Sequence, residues 1–260
     1  MVLSISAVSD QGCVRERNED MLLVGADTIR DGSCEKVVEL GGAAPPFALA
    51  VADGIGGHHA GEVASERVLG ELIALVAGLQ PGLSVQSIGR LVERWVADVH
   101  ASLVADGRDN PERAGMGSTL VALLVYEGRF YVLNVGDSRL YRFRGGNLAQ
   151  LTRDHSLREM TGNTTAADNV IINSLGGGGR VFVDFGPAGG KVLDGDVFML
   201  CSDGLSGMVK DDQLEELLSS SVTAGELVDS AKRAGGEDNI SVVLARVRTS
   251  DAQPPGPAGA

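Results

Sequence analysis

The chain has 260 residues, of which 43% are hydrophobic and 4% aromatic, and its formal net charge at pH 7 is -13. This length allows one sizeable core, built mainly from aliphatic side chains, and one domain is the default expectation. The negative charge disfavours nucleic acid and anionic lipid as partners, because like charges repel, whereas an excess of carboxylates suits hard divalent cations.

The cysteine content and the N-terminus bear on the compartment. The three cysteines are widely spaced and odd in number, so no pair has zinc-ligand or disulfide-framework spacing, which indicates a reducing compartment. The N-terminus reaches Asp10 too early for the apolar stretch of a signal peptide, and no apolar run approaches the ~20 residues of a membrane helix. The sequence therefore predicts a cytoplasmic protein without membrane insertion, and we expect a monomer.

The N-terminal half predicts short strands followed by two helices. Apolar runs bounded by turn signals predict strands at 3–9, 21–26 and 47–52. Residues 27–46 are polar and rich in Gly and Pro, and are expected to form a long loop or a hairpin. Apolar residues at helical spacing predict amphipathic helices over 60–78 and 84–105.

The C-terminal half is richer in strands. A β-meander is predicted over 118–126, 129–135, 138–144 and 147–151. An irregular, glycine-rich segment over 153–195 follows. The remaining elements are a buried strand over 196–202, two short helices near 211–219 and 223–234, and a final strand over 240–248. The tail 249–260, which contains Pro-Pro-Gly-Pro, is expected to be disordered.

Helices outside a strand-rich centre predict two sheets packed face to face with helix pairs on the outside. This is an α+β fold, a four-layer α-β-β-α sandwich whose two central sheets are mostly antiparallel. The sequence shows no fixed-period repeat and no second domain, so residues 1–248 are expected to form one domain.

Four aspartates stand at the ends of the strongest predicted strands. They are Asp53, Asp137, Asp203 and Asp238. Asp is an ordinary turn residue, which is sufficient to explain any one of these positions. Four of them, together with Asn18-Glu19-Asp20, indicate a metal cluster, because uncompensated carboxylates at the end of a core repel one another. Oxygen ligands favour Mg²⁺ or Mn²⁺, and two such ions ~4 Å apart would polarise a phosphoryl oxygen and generate hydroxide near neutral pH.

Seven short motifs occur in order along nearly the whole chain. They are Ser9-Asp10-Gln11-Gly12 with Arg15 and Asn18-Glu19-Asp20, Ala52-Asp53-Gly54-Ile55-Gly56-Gly57-His58 with Ala60-Gly61-Glu62, Gly117-Ser118-Thr119, Asn134-Val135-Gly136-Asp137-Ser138-Arg139, Leu151-Thr152-Arg153-Asp154-His155-Ser156, Cys201-Ser202-Asp203-Gly204-Leu205, and Asp238-Asn239-Ile240-Ser241-Val242. In this combination the chain resembles the PPM family of metal-dependent protein phosphatases (type 2C), specifically its bacterial stand-alone serine/threonine phosphatases. The resemblance implies that residues 1–248 form a phosphatase domain, with a flap inside 153–195.

The resemblance implies two tightly bound Mn²⁺ or Mg²⁺ ions and a weaker third. Asp53 would bridge the two tight ions, and Gly54 would contribute its backbone carbonyl, which explains a glycine there because close backbone approach leaves no room for a side chain. Asp203 and Asp238 would bind the first ion.

Further roles follow from the same resemblance. Glu19 and Asp20 would hold metal-bound waters or contact the second ion. Arg15 would clamp the substrate phosphate with its planar guanidinium. Asn239 would steady the site through hydrogen bonds, and Asp137 would contribute to the third, weaker metal site.

The chain departs from the family pattern at two positions. The eukaryotic branch has a candidate general acid, a histidine, where this chain has Ile55; His58 is therefore the nearby catalytic candidate, with a simple turn before the helix as the alternative. The aspartate common in the family four residues beyond Asp203 is Gly207 here, which leaves the third ion with fewer protein ligands.

The implied function is hydrolysis of phosphoserine and phosphothreonine on proteins by water activated at two metals, reversing a bacterial serine/threonine kinase. The partners would be phosphorylated proteins, including that kinase or its targets. One alternative is a non-catalytic phosphoprotein-binding regulator on the same fold, which the intact Asp53, Asp203 and Asp238 disfavour. A metal nuclease is the other alternative, and the net charge of -13 and the lack of a basic stripe disfavour it.

Overall fold

The computed structural model describes residues 1–41, 44–56, 60–162 and 170–249. The strands in these ranges are β1 Val2–Asp10, β2 Met21–Val24, β3 Asp27–Ile29, β4 Gly32–Glu39, β5 Phe47–Ala52, β6 Gly54–Ile55, β7 Gly117–Ser118, β8 Leu120–Tyr126, β9 Arg129–Val135, β10 Arg139–Arg144, β11 Asn147–Gln150, β12 Asp184–Pro187, β13 Val197–Cys201 and β14 Ile240–Arg248. The helices are α1 Ala60–Gly78, α2 Val85–Asp109, α3 Leu157–Thr161, α4 Asp203–Ser206, α5 Asp211–Ser219 and α6 Ala224–Arg233, with a short 3-10 turn at Pro111–Arg113.

Two six-stranded antiparallel sheets form the centre of the molecule. The first has the order β11-β10-β13-β14-β1-β4, and the second has the order β12-β9-β8-β5-β2-β3. Every residue of β8 is buried, because that strand is covered by the other sheet on one face and by helices on the other. A continuous apolar run is the pattern expected of a strand covered on both faces.

Three apolar layers hold the sheets and helices together. Between the sheets, the rings of Phe130 and Phe198 stack with centroids 5.3 Å apart. Trp95 of α2 lies in the layer between the second sheet and helices α1 and α2, and Leu227 of α6 lies between the first sheet and helices α5 and α6. Three apolar layers separate four layers of secondary structure, so the predicted α-β-β-α sandwich is confirmed.

The predicted loop or hairpin over 27–46 is wrong. Strand β3 extends the second sheet beside β2, whereas β4 pairs with β1 at the edge of the first sheet. Along β4, half-buried residues alternate with exposed ones such as Glu35 and Val37. This polarity is typical of an edge strand with one solvated face, and in the sequence it resembles a loop.

The predicted meander over 118–151 is also wrong. Strands β8 and β9 form a hairpin in the second sheet, while β10 and β11 form a hairpin in the first. The chain crosses between the sheets at Gly136-Asp137-Ser138, where Gly136 has a φ of 112° that favours glycine. Alternating polarity shows which face of a strand is buried but not which sheet the strand joins, so the crossover has the sequence pattern of a hairpin turn.

The segment 153–195 is mostly irregular, as predicted, but it contains two short elements, α3 and β12. The tail expected at 249–260 lies outside the described residues except for Thr249. None of the helices in the described ranges is both long and apolar enough to cross a bilayer. The cytoplasmic location and the monomeric state stay predictions.

Candidate metal centre

Five aspartates meet at one end of the two sheets. Antiparallel pairing of β2 with β5 sets Met21 opposite Ala52, so the residues just outside this pair, Asp20 and Asp53, are neighbours. In the first sheet, pairing of β13 with β14 brings Asp203 and Asp238 out at the same end. The crossover between the sheets adds Asp137. The aspartates that influence one another electrostatically are Asp20, Asp53, Asp137, Asp203 and Asp238.

Burial and mutual repulsion make four of these carboxylates, those of Asp20, Asp53, Asp137 and Asp203, hard to ionise. Desolvation, opposed by the Ser202 and Ser241 hydroxyls and reinforced by the other carboxylates, raises the pKa of Asp20 to about 8. Desolvation and the charge of Asp203 raise the pKa of Asp137 to about 7. Asp20 is only 1% exposed, and one carboxylate oxygen each of Asp20 and Asp137 has no hydrogen-bond partner among the described residues.

Asp53 and Asp203 form the centre of the cluster. Desolvation, followed by the nearby charges of Asp20 and Asp203, raises the pKa of Asp53 well above its usual value. Desolvation also raises the pKa of Asp203, as does the charge of Asp238, while a hydrogen bond with Asp53 opposes these effects. Two carboxyl groups at hydrogen-bond distance share a proton more readily than they carry two negative charges.

The donor chemistry fits a hard divalent cation. All the gathered side-chain ligands are carboxylates, and two buried oxygens have no hydrogen-bond donor among the described residues. The cluster is not a finished chelate: within the described ranges, no three His, Cys, Asp or Glu side chains stand at the spacing of ligands around one ion. Asp238 is instead engaged by Arg15, whose Nη2 donates to Oδ2 at 2.6 Å while 53% of the arginine side chain stays exposed.

Both Asp-Gly pairs of the cluster require glycine for space. A Cβ on Gly54 would collide with the carbonyl oxygen of Gly61 and lie 2.5 Å from that of Glu19. A Cβ on Gly204 would collide with the carbonyl oxygen of Asn239. The peptide after each aspartate is therefore packed directly against backbone from another part of the chain.

The backbone of Asp53 is held from the side by Thr119. The Asp53 N–H donates to Thr119 Oγ1 at 3.1 Å, and the Thr119 N–H donates to the Asp53 carbonyl oxygen at 2.9 Å. The Thr119 hydroxyl in turn lies 2.7 Å from that of Ser138, next to Asp137. Thr119 thus links the backbone of Asp53 to Ser138, the neighbour of Asp137, a role that its sequence does not reveal.

Asn239 organises the loop that carries Glu19. Its Oδ1 accepts the Glu19 N–H at 2.8 Å, and its Nδ2 donates to the carbonyl oxygens of Gln11 and Arg17 at 2.9 and 2.7 Å. One buried amide therefore ties the segment 11–19 to the start of β14 beside Asp238.

The region of the expected third metal site is a cleft of about 370 Å³ whose wall includes Asp137, Arg139, Asp203 and Gly207. Gly207 has a φ of -77°, so its backbone conformation is open to any residue. A Cβ there would nevertheless lie 2.8 Å from the Asp203 carbonyl oxygen, so any side chain at this position would have to displace the Asp203 backbone slightly.

The histidine candidate His58 lies outside the described residues. A different histidine, His155, supports the crossover. It is 1% exposed; its Nδ1 accepts the Gly136 N–H at 3.1 Å, and its Nε2 lies 3.1 Å from Asp184 Oδ2. His155 belongs to a recognised motif, but only the folded chain shows that it braces the peptide next to Asp137.

Comparison with known proteins shows which family this chain is similar to. The family model described as Protein phosphatase 2C matches residues 40–233. The serine/threonine phosphatase stp of Listeria monocytogenes serotype 4b is 36% identical over 208 residues, which cover 75% of this chain and 82% of that protein.

Solved structures show the same similarity. The serine/threonine phosphatase of S. agalactiae superposes with a TM-score of 0.80 at 26% identity, covering 95% of this chain and 100% of that one. The catalytic domain of the serine/threonine protein phosphatase PstP, solved in complex with 2 manganese ions, superposes with a TM-score of 0.72 at 32% identity, covering 95% and 99% of the two chains.

The raised carboxyl pKa values predict that the metal-free protein loses stability as the pH rises. Asp137 and Asp20, with pKa values of about 7 and about 8, keep protons in the folded state that the unfolded chain has already released. The folded state therefore binds more protons than the unfolded chain between the ordinary aspartate pKa of 3.8 and the raised value of about 8. The free energy of unfolding falls as the pH rises through this range. In EDTA, we expect the Tm to drop by at least about 2–4 °C between about pH 6 and pH 9, the shift that ~1 kcal/mol produces at this size.

Asp20→Asn is the matched variant, because it keeps the shape of the side chain but does not titrate. Its Tm should fall less over the same pH range. A metal-free wild type whose Tm rises with pH would contradict the repulsion described above.

The close approach at Gly54 predicts that Gly54→Ala destabilises the protein by about 1–3 kcal/mol, since the new methyl must displace backbone. The control is Gly70→Ala in α1, where a Cβ meets nothing within 4 Å. That change should be neutral or stabilise by about 0.5–1 kcal/mol, as helix propensity dictates. Urea unfolding of both variants tests this prediction. If Gly54→Ala is as stable as Gly70→Ala, lack of space does not explain the glycine at position 54.

Proposed function

The chain belongs to the protein phosphatase 2C family and is a serine/threonine protein phosphatase, and from this premise we propose that it hydrolyses phosphoserine and phosphothreonine on proteins with water activated between two divalent ions. The convergence of five carboxylates from both sheets on one point carries the proposal. A non-catalytic regulator would have no need of a cluster that repels itself so strongly.

We propose that the ligands are the residues named from the sequence. Asp53, at the centre of the cluster, would bridge both ions, and the Gly54 carbonyl would join it. Asp203 and Asp238 would hold one ion from the first sheet, and Asp20 would serve the other from the second sheet. When bound, the two ions would lower the pKa of a water and polarise a phosphoryl oxygen.

Arg15 is proposed to orient the substrate phosphate. Its guanidinium already pairs with Asp238 at the edge of the cluster, and half of the side chain is exposed. A planar fork in this position suits two oxygens of a phosphate. Glu19 and Asn239, which are hydrogen-bonded to each other, would stabilise the site without being primary ligands. Asp137 would hold a third ion, which binds more weakly because position 207 supplies no carboxylate.

Manganese is the proposed ion, with magnesium as the alternative. A structural relative, the PstP catalytic domain, is in complex with 2 manganese ions, and both ions favour oxygen donors. The proposed substrates are phosphoproteins made by a bacterial serine/threonine kinase, because such a kinase makes the ester that this enzyme class removes.

Release of phosphate from a phosphothreonine peptide tests the proposal. We expect activity with Mn²⁺, its loss in EDTA, and its return when Mn²⁺ is added back. Asp53→Asn should lower kcat well beyond tenfold, a loss of more than ~1.4 kcal/mol, while the Tm in EDTA is unchanged or higher. The control Asp229→Asn changes an exposed aspartate on α6 and should keep wild-type kcat. Full turnover in EDTA would contradict the two-metal mechanism.

Arg15→Ala should raise KM for the phosphopeptide more than it lowers kcat. A phosphate clamp acts on ground and transition states alike, so its removal costs mostly uniform binding. Arg17→Ala is the control in the same loop, where the arginine lies 3.6 Å from Glu62. If the two variants have the same KM, Arg15 does not bind the phosphate.

A further inference from the structure

Glu19 and Asp20 directly precede β2, and each of their backbone N–H and carbonyl groups is hydrogen-bonded to a side chain. The four hydrogen bonds run from the Glu19 N–H to Asn239 Oδ1 at 2.8 Å, from Ser65 Oγ to the Glu19 carbonyl at 2.6 Å, from the Asp20 N–H to Asn18 Oδ1 at 3.1 Å, and from Arg30 Nε to the Asp20 carbonyl at 3.1 Å. Buried backbone groups need partners, and here side chains take the place of a neighbouring strand.

Arg30 joins this dipeptide to the start of α1. Besides the Asp20 carbonyl, its guanidinium donates through Nη2 to the Glu62 carbonyl at 2.8 Å and to Ser65 Oγ at 3.0 Å. The Ser65 hydroxyl, which is fully buried, in turn donates a hydrogen bond to the Glu19 carbonyl oxygen. One rigid guanidinium therefore spans two carbonyls and a hydroxyl, which a lysine ammonium cannot reach together.

The connection between β3 and β4 carries the arginine. It consists of Arg30 and Asp31, and Asp31 Oδ1 accepts a hydrogen bond from Asn18 Nδ2 at 2.9 Å. Both residues of this two-residue link between the sheets therefore brace the segment 18–20. This is a specific task for part of the segment 27–46, to which no motif assigns a function.

These hydrogen bonds, which we call the brace, affect the acidic side chains of Glu19 and Asp20 because the start of α1 packs closely against them. The Gly61 N–H, one residue before Glu62, lies against the Glu19 carboxylate, and a Cβ on Gly61 would approach that carboxylate to 2.7 Å. A shift of the Glu19-Asp20 backbone relative to α1 would therefore move both acidic side chains at the cluster.

We propose that Arg30 is a positioning residue that, with Ser65, fixes the Glu19-Asp20 backbone so that the Asp20 carboxylate serves the metal pair. The proposal rests on the two-metal function above. Arg30 acts through hydrogen bonds to two carbonyl oxygens and the Ser65 hydroxyl, and it also lies 3.9 Å from the Glu62 carboxylate, which is not one of the five clustered aspartates. Partners that orient metal ligands typically change metal affinity or activity 10–100-fold when they are removed.

Calorimetric titration with Mn²⁺ tests the proposal on the full chain. Arg30→Met keeps the apolar stem but removes the donors, and we expect about tenfold weaker Mn²⁺ binding. Arg30→Lys should fall between Arg30→Met and wild type, because an ammonium can keep one of the three contacts. The kcat of Arg30→Met should recover when Mn²⁺ is raised by about the same factor, and the comparison with a destabilised control distinguishes this effect from a loss of stability.

The matched control is Arg246→Met. Arg246 also donates to a carbonyl, that of Val222, but lies toward the other end of β14 from Asp238. It should lower the Tm without changing the Mn²⁺ Kd. If Arg30→Met behaves like this control, with lower Tm and wild-type Kd, the proposal is overturned.

Ser65→Ala gives a second measurement that decides the case if Arg30→Met does not fold. It removes the bond to the Glu19 carbonyl and should also weaken Mn²⁺ binding several-fold; a wild-type Kd would contradict the brace. Asp20→Asn separates this proposal from the proposed function. If Asp20→Asn weakens Mn²⁺ binding and the brace variants do not, only the brace fails, whereas wild-type binding by Asp20→Asn would overturn the metal role of Asp20 itself.

Discussion

Repulsion among carboxylates at one end of the sandwich is the constraint on which the rest of the structure depends. Two like charges about 4 Å apart repel by about 4 kcal/mol at an effective dielectric constant near 20, and a domain has only about 5–15 kcal/mol of net stability. A few such pairs left fully charged would exceed that stability. The cluster must therefore be neutralised by protons or by cations, and the raised pKa values of Asp20 and Asp137 favour retention of protons near neutral pH in the metal-free protein.

The same repulsion links stability, proton release and metal binding. A cation that binds these carboxylates must displace the protons that Asp20 and Asp137 retain near neutral pH, so binding depends on pH. Burial of side chains in the three apolar layers supplies the stability that offsets the repulsion among the carboxylates. A rigid sandwich also keeps the ligands at a fixed spacing, which a flexible loop could not do.

The backbone around the cluster is held in an unusual way. Each aspartate lies beside the end of a paired strand, either just after it or just before it, and side-chain donors and acceptors take over from the sheets there. Thr119 holds Asp53, Asn239 holds the loop that leads to Glu19, and Arg30 holds Asp20. The position of the backbone at the cluster therefore depends on a few polar side-chain contacts.

The sequence by itself determined most strand and helix positions, apart from β3, β4 and the short elements inside 153–195, because buried runs and helical spacing are local patterns. Its short motifs likewise determined the family and the acidic residues that meet, and the order of its elements determined the four-layer architecture. It did not determine that β3 and β4 join different sheets or that the chain crosses between the sheets at Asp137, since alternation marks a buried face and not a partner strand. Nor did it reveal the roles of His155 and Arg30. A side chain that bonds a distant backbone group leaves no periodic signal, so only the tertiary structure decided which residues hold the backbone beside the acidic cluster.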